Sequence, residues 1–231
     1  MVSEANNVAV DRPSSTRQRH RPAAAIAVVG TVIFALLLLD VLYHGAISSL
    51  DDTVAGAMNR HNIDDGGSRR VALVVTQFGS TPVLAAVVVV ATVVLAVRGW
   101  RRQALFLVVT ATVGTSVNNI IKVLVGRSRP HFEQEITAAY GNSFPSGHSM
   151  NSTAVYGALL LVIWPLLPDR RHLAALIVTA SVVASIAVSR VVLTVHYVSD
   201  VLAGMTLGVV IVCVATWVFD IPSRSAAPSR R

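Results

Sequence analysis

The residues best suited to chemistry fall into three short stretches of the chain, and the first begins at its only lysine, Lys122. Arg129 follows seven residues later, about two turns in a helix, so a helix would place both cations on one face. Gly126 and Pro130 predict that the helix ends inside this stretch. Arg binds phosphate bidentately and Lys acts as a point charge, so the pair predicts an anion clamp. The alternative is a pair of interfacial anchors whose charged heads reach water.

The second stretch combines turn-forming residues with a histidine: Pro145, Ser146, Gly147 and His148. It predicts a tight turn before a helix, whose first backbone N–H groups can point at an anion. Ser146 adds a hydroxyl donor, and His148 can give or take a proton near neutral pH. The alternative is an ordinary turn and helix cap with His148 on the surface.

The third stretch runs from Ser189 and Arg190 to His196 and Asp200. His196 and Asp200 are four residues apart, which makes them neighbours on a helix face. If Asp200 accepts the Nδ1–H of His196, the Nε2 atom is left free to attack an electrophile. The alternative is a buried pair that only holds helices together.

Taken together, the three stretches contain three cations, two histidines and one carboxylate, which we expect to converge on one site. Such a site needs an anionic partner, and phosphate is the natural candidate because Lys, Arg and N–H groups stabilise charge on phosphoryl oxygens. No set of residues suggests a metal site: Asp51, Asp52, Asp64 and Asp65 are expected in a solvated loop. Asp40 is expected to face a partner helix. No role is predicted for Asn118, His131, Glu133 or Tyr140.

The composition indicates that a membrane surrounds these residues. Of 231 residues, 53% are hydrophobic and 13% are charged, about half the charged fraction of soluble domains. The net charge of +7 is dispersed, and aromatic residues make up only 6%, so no nucleic-acid partner is expected. The single cysteine, Cys213, excludes an intrachain disulfide.

Apolar runs predict an all-α bundle of six transmembrane helices. The spans are expected at 23–43, 81–97, 103–122, 149–167, 173–194 and 198–219, with an interfacial helix at 71–80 and a polar loop at 44–70. Gly204 and Gly208 form a Gly-x-x-x-Gly pair that lets a neighbouring helix approach closely.

The basic residues predict the orientation of these spans. Twelve arginines fall on the side of both termini and seven Lys or Arg fall on the other side. By the positive-inside rule, both termini are cytoplasmic and the three stretches lie at the extracytoplasmic face. We expect tails at 1–22 (disordered, basic) and 220–231 to flank a six-span domain at 23–219.

The pattern Lys-x6-Arg-Pro, Pro-Ser-Gly-His and Ser-Arg-x5-His-x3-Asp, with eleven identities between residues 122 and 200, resembles the type 2 phosphatidic acid phosphatase superfamily. The resemblance implies that His196 is the nucleophile and forms a phosphohistidine, that Asp200 orients it, and that His148 protonates the leaving group and then activates water. It further implies phosphate-binding roles for Lys122, Arg129, Ser146, Gly147, Ser189 and Arg190, with no metal and no cofactor.

The resemblance therefore implies a hydrolase of lipid phosphates or pyrophosphates in the plasma membrane of a bacterial cell. Phosphatidic acid, phosphatidylglycerol phosphate and polyprenyl pyrophosphate all fit as substrates, and the sequence predicts no oligomeric state. One alternative is a phosphotransferase that passes the phosphoryl group to an alcohol. Another is a non-catalytic anion-binding membrane protein. The soluble haloperoxidase relatives of the family are disfavoured by the six spans.

Overall fold

The computed structural model of the protein describes residues 21–64, 66–132, 137 and 139–221. Most of the two predicted tails lies outside these residues. The described part of the chain contains α-helices, one short 3₁₀ turn at Trp164–Leu166 and connecting segments. The helices are α1 (Arg21–Leu42), α2 (Ala46–Asp64), α3 (Gly66–Gln77), α4 (Thr81–Val97), α5 (Arg101–Val125), α6 (Gly147–Ile163), α7 (Asp169–Val192) and α8 (Val198–Val218).

The predicted class, an all-α integral membrane bundle with six transmembrane helices, is confirmed. Six segments are long and apolar enough to cross a bilayer: Pro22–Leu42, Gly66–Val97, Arg101–Val125, Gly147–Leu166, Asp169–Val192 and Val198–Val218. Their outward faces carry apolar side chains such as Val29, Val90 and Leu173, each more than half exposed. Such faces need lipid around them, because soluble proteins rarely expose apolar surface continuously.

The predicted division of the second apolar run into two helices is confirmed, but the first helix is longer than the interfacial helix predicted at 71–80. It begins at Gly66 and ends at Gln77, and α4 follows after a break of three residues. Pro82 explains the break, because a proline has no N–H to donate to the carbonyl four residues earlier. That carbonyl, on Phe78, instead accepts a hydrogen bond of 2.8 Å from the hydroxyl of Tyr156 on α6.

The predicted polar loop at 44–70 is wrong, because helix α2 and the start of α3 occupy it. The carboxylate of Asp40 caps α2: it accepts hydrogen bonds from the backbone N–H groups of Ile47 (3.2 Å) and Ser48 (2.8 Å). A capping carboxylate satisfies N–H groups that a helix leaves unpaired. Asp40 thus binds the helix that follows it in the chain, and a polar segment that looked like a loop forms a helix.

The predicted close approach at Gly204 and Gly208 is confirmed, and the neighbouring helix is α6. A Cβ atom on Gly204 would lie 2.6 Å from the carbonyl oxygen of Ser146, and one on Gly208 would lie 2.7 Å from that of Met150. Both distances are below van der Waals contact. The lack of a Cβ atom at these two positions of α8 therefore sets how closely the helix packs against the beginning of α6.

Replacing Gly204 by alanine is expected to lower the free energy of unfolding by about 1–3 kcal/mol, because the new methyl group forces backbone apart in a packed core. Thermal unfolding of the detergent-purified protein would measure the change. Gly66→Ala is the matched control, since a Cβ atom there meets nothing within 4 Å. Equal unfolding temperatures for the two variants would contradict the packing described here.

Candidate active site

The histidine and carboxylate of the third stretch are in contact, although the predicted helical basis for the pair is wrong. Helix α8 begins at Val198, so His196 lies in the turn before it and Asp200 lies in its first turn. Nδ1 of His196 is 3.3 Å from Oδ2 of Asp200, which also accepts the backbone N–H of Tyr197 at 3.0 Å. Both side chains of the pair are buried. A capping carboxylate, rather than helical spacing, thus makes the contact.

Arg129 lies on the other side of the imidazole ring. Its Nη1 atom is 3.1 Å from Nε2 of His196 and donates to the carbonyl of Val195 at 2.6 Å. A guanidinium has only donors, so Nε2 must present its lone pair, and the proton of a neutral His196 then sits on Nδ1 toward Asp200. This is the tautomer that an attacking Nε2 requires.

Burial keeps this histidine neutral. Loss of hydration lowers the pKa of His196 to about 4, and the charge of Arg129 acts in the same direction, while Asp200 opposes both. A histidine with this pKa is unprotonated throughout the physiological range. Its lone pair is therefore available without prior deprotonation.

Lys122 and Arg129 converge as predicted, but through a loop carbonyl rather than a shared helix face. Helix α5 ends at Val125, and Gly126 adopts a φ of 65°, which confirms the predicted end inside the stretch and removes Arg129 from the helix. Nζ of Lys122 donates to the carbonyl of Asn142 at 2.6 Å, and Nη2 of Arg129 reaches the same oxygen at 3.4 Å. Two cations thus meet at one point of the loop before α6.

Arg190 is the third predicted cation, and it is 8% exposed. Its Nη1 donates to the hydroxyl of Thr76 on α3 at 2.6 Å. Its Nε atom is buried and has no hydrogen-bond partner among the described residues. A buried donor without an acceptor is costly, so the surroundings of Arg190 are suited to an anion that would supply one.

The second stretch forms the predicted turn and helix start, since α6 begins at Gly147. Ser146 is fully buried, and its backbone N–H donates to the carbonyl of Asp200 at 2.9 Å. His148 is half-buried, and a Cβ atom on Gly79 would lie 3.3 Å from its ring and still closer to Ile186, which is one turn before Arg190. The turn therefore brings His148 to the same site as the third stretch.

Gly147 and Ser189, two of the residues implied to bind phosphate, are in close contact with neighbouring groups of the protein. A Cβ atom on Gly147 would lie 3.1 Å from the side-chain oxygen of Asn118, whose amide group in turn donates to the carbonyl of Pro145 at 3.4 Å. The hydroxyl of Ser189 donates along its own helix to the carbonyl of Ile186 at 2.6 Å. Asn118 therefore supports the turn, and the phosphate-binding roles implied for Gly147 and Ser189 stay predictions.

Sequence reasoning missed an ion-pair network behind Asp200. Arg127 donates to Asp200 at 2.7 Å and to Asp51 at 2.9 Å. The predicted solvated position of Asp51 is wrong, because its side chain is 1% exposed. Asp52 is exposed as predicted, the side chain of Asp64 is not described, and Asp65 lies outside the described residues. The only signal in the sequence was the position of Arg127 inside the first stretch.

The remaining candidates contribute less to the site. Tyr140 is 91% exposed and its carbonyl accepts from Nη2 of Arg129 at 3.2 Å; His131 is also exposed, and Glu133 lies outside the described residues. Among the residues that the structure describes, no group of three or more His, Cys, Asp or Glu side chains could hold a metal ion.

The chain matches a family model and two known proteins. The model described as PAP2 superfamily matches residues 102–223. Phosphatidylglycerophosphatase B of Bacillus subtilis (strain 168) is 29% identical over 187 residues, which cover 79% of this chain and 90% of that protein. The crystal structure of the first transmembrane PAP2 type phosphatidylglycerolphosphate phosphatase from Bacillus subtilis has the same fold. Its TM-score is 0.77 at 24% identity, over 88% of this chain and 98% of that chain.

The matched region contains all three stretches that could do chemistry. It also contains three of the six candidate spans in full and nearly all of a fourth, Arg101–Val125. It also covers more than half of the 231 residues. The protein therefore belongs to the PAP2 superfamily and is an integral membrane phosphatase.

Proposed function

We propose that the protein hydrolyses the phosphate monoester of a membrane lipid through a phosphohistidine at His196, and that phosphatidylglycerol phosphate is its preferred substrate. The observation that carries the proposal is the position of His196 between Asp200 (3.3 Å) and Arg129 (3.1 Å). One neighbour orients the ring and the other fixes the lone pair on Nε2. Simple anion binding requires neither.

In the first step, Nε2 of His196 attacks phosphorus, and the bond from phosphorus to the lipid oxygen breaks. His148 donates a proton to that oxygen, so the alcohol leaves neutral. Arg129 turns its Nη1 from His196 to a phosphoryl oxygen, and Lys122 and Arg190 offset the remaining charge. The imidazolium that forms is stabilised by Asp200, as in a catalytic triad.

In the second step, His148 takes a proton from water, and the water oxygen attacks phosphorus. The bond from phosphorus to Nε2 breaks, inorganic phosphate leaves, and His196 returns to its neutral form. His148 is then protonated and ready for the next lipid. His196 therefore acts as the nucleophile and His148 as the acid and base. The ring of His196 is buried and that of His148 is half-buried, in line with these separate roles.

Two further features support a lipid rather than a soluble ester. A cavity of about 340 Å³ lies between α4, α5 and α6, and its lining is mainly apolar, with Leu84, Val88 and Val155. Asn151, one turn after His148 on α6, also lines it, so the cavity reaches the neighbourhood of the site. The similarity to phosphatidylglycerophosphatase B supports the choice of headgroup.

The orientation follows from the same layout. Helix α5 runs from Arg101 to Val125, a length of about 37 Å, so Lys122 and the cluster Arg98, Arg101 and Arg102 lie at opposite ends of the bundle. The arginine-rich end and both tails are cytoplasmic in our proposal, by the positive-inside rule. The site then lies at the extracytoplasmic face.

Phosphate release by the detergent-purified protein, in the presence of EDTA, tests the function. We expect the highest kcat/KM for phosphatidylglycerol phosphate, compared with phosphatidic acid and a polyprenyl pyrophosphate. Phosphatidylglycerol, which has no monoester, is the blank. Vanadate should inhibit, because it mimics pentacoordinate phosphorus.

Release from none of these lipids would contradict the proposal. Appearance of a phosphorylated alcohol in place of inorganic phosphate would identify a phosphotransferase instead. A higher kcat/KM for another lipid in the panel would contradict the proposed substrate while leaving the hydrolytic function intact.

A further inference from the structure

The carboxylate of Asp200 has two oxygens with separate partners. Oδ2 contacts Nδ1 of His196 and accepts a hydrogen bond from the backbone N–H of Tyr197. Oδ1 accepts a hydrogen bond of 2.7 Å from Nη1 of Arg127. The side chain of Asp200 is fully buried. A carboxylate bound at both oxygens cannot rotate, so Arg127 fixes which oxygen faces the imidazole.

Arg127 is itself held by a second buried carboxylate. Nη2 of Arg127 lies 2.9 Å from Oδ2 of Asp51, and the guanidinium carbon lies 4.2 Å from the centre of the Tyr197 ring. Asp51 also accepts the backbone N–H of Ser199 at 3.0 Å and the Ser199 hydroxyl. Asp51 is thereby tied to the first turn of α8, the turn that contains Asp200.

The charges of Asp200, Arg127 and Asp51 are balanced only when all three residues are present. Two carboxylates that share one buried site cannot both stay ionised unless a cation lies between them. Arg127 is that cation, and it donates to each carboxylate. Removing Arg127 would leave two buried carboxylates with no cation between them, whereas removing Asp51 would free the guanidinium to leave Asp200.

We infer that Arg127 and Asp51 are positioning residues, which act through Asp200 to hold His196 in its attacking orientation. This inference rests on the function proposed above. Helix α2, which supplies Asp51, lies outside the residues that the family model matches. A segment without any motif residue thus becomes part of the catalytic support.

Asp51→Asn, which keeps the native shape, and Arg127→Gln, which keeps a polar side chain but removes the guanidinium, test the inference. We expect kcat to fall by about 10- to 100-fold in either variant, the range typical for partners that orient a functional histidine. The double variant should lose little more than the worse single variant, because the two residues act as a unit. Asp220→Asn is the control. It breaks an exposed ion pair of 3.5 Å with Arg102, near the far end of α5 from Lys122.

The acidic limb of kcat/KM against pH separates positioning from a merely structural role. His196 is inactive when protonated, and the charged or titratable groups around it are Asp200, Arg129, Arg190 and His148. Arg127→Gln removes a cation behind Asp200, so protonated His196 becomes more favourable and the limb should move to higher pH. Asp51→Asn removes an anion, so protonated His196 becomes less favourable and the limb should move to lower pH. The double variant should restore it toward the wild-type position.

Rates are normalised to the amount of monodisperse protein in each preparation, so that loss of folded protein does not imitate a loss of kcat. Unchanged kcat and an unmoved limb in both single variants would overturn the inference. Strictly multiplicative losses in the double variant would also overturn it. A wild-type enzyme that forms no phosphohistidine would instead overturn the proposed function, so the two failures are distinguishable.

Discussion

His196→Ala is expected to reduce phosphate release by about 10⁴-fold or more, since removal of a nucleophile leaves only binding and electrostatic contributions to the rate. The side chain is 3% exposed, and alanine at this position leaves Arg129 and Asp200 able to hydrogen-bond water. We therefore expect the variant to fold and insert while losing the covalent intermediate.

The measurement is incubation with radiolabelled lipid phosphate, followed by a rapid quench at alkaline pH, where phosphohistidine survives. The wild type should carry label and His196→Ala should carry none. His172→Ala is the matched control, because His172 stacks on Trp164 at 4.3 Å near the opposite end of α7 from Arg190. Turnover retained by His196→Ala would remove this residue from the nucleophilic role.

His148→Gln is expected to have the second largest effect, and the loss should depend on the leaving group. A general acid contributes about 10²- to 10⁴-fold when the leaving group is a poor one, such as a lipid alcohol. A nitrophenyl phosphate expels a weakly basic oxygen that needs little protonation. The variant should therefore fail to react with the lipid but should still be phosphorylated by the aryl ester.

Once phosphorylated, the same variant should accumulate the intermediate, because no base remains to activate water. A burst of nitrophenol followed by a much slower steady rate would show both properties in one trace. Equal losses on the lipid and on the aryl ester would argue against His148 as the acid. Tyr156→Phe, which removes only the hydrogen bond to the Phe78 carbonyl, is the control on α6.

The convergence of the three stretches could be predicted because each contains charged or histidine side chains next to the predicted end of an apolar helix. Lys122, the turn before His148 and the spacing of His196 and Asp200 all led to the site that the structure assembles. The apolar runs likewise predicted the six spans, since length and hydropathy are read directly from composition. What was wrong was the local geometry: His196 precedes its helix, and Arg129 follows one.

The supporting contacts could not be predicted, because they join residues far apart in the chain. Asp51 and Ser199 are 148 residues apart, and Thr76 and Arg190 are 114 apart; no periodicity relates them. Helix α2 was mistaken for a loop because it is rich in polar residues, and some of them, such as Asp51 and Asn62, are buried in the protein. A single sequence records the polarity of Asp51 but not the buried guanidinium that makes its burial possible.

The contact between Thr76 and Arg190 has a consequence for recombination between relatives. Residues 101–221 contain every motif residue, and a chimera could join them to the first hundred residues of a homologue without changing any of them. The Thr76 hydroxyl, which accepts a hydrogen bond from Arg190, would then come from the other parent. So would the Asp51 carboxylate, which accepts one from Arg127. Such a hybrid takes its motif residues from one parent and the residues that orient them from the other. Where the parents differ at these two positions, we expect the rate of the hybrid to depend on which parent supplies the first hundred residues.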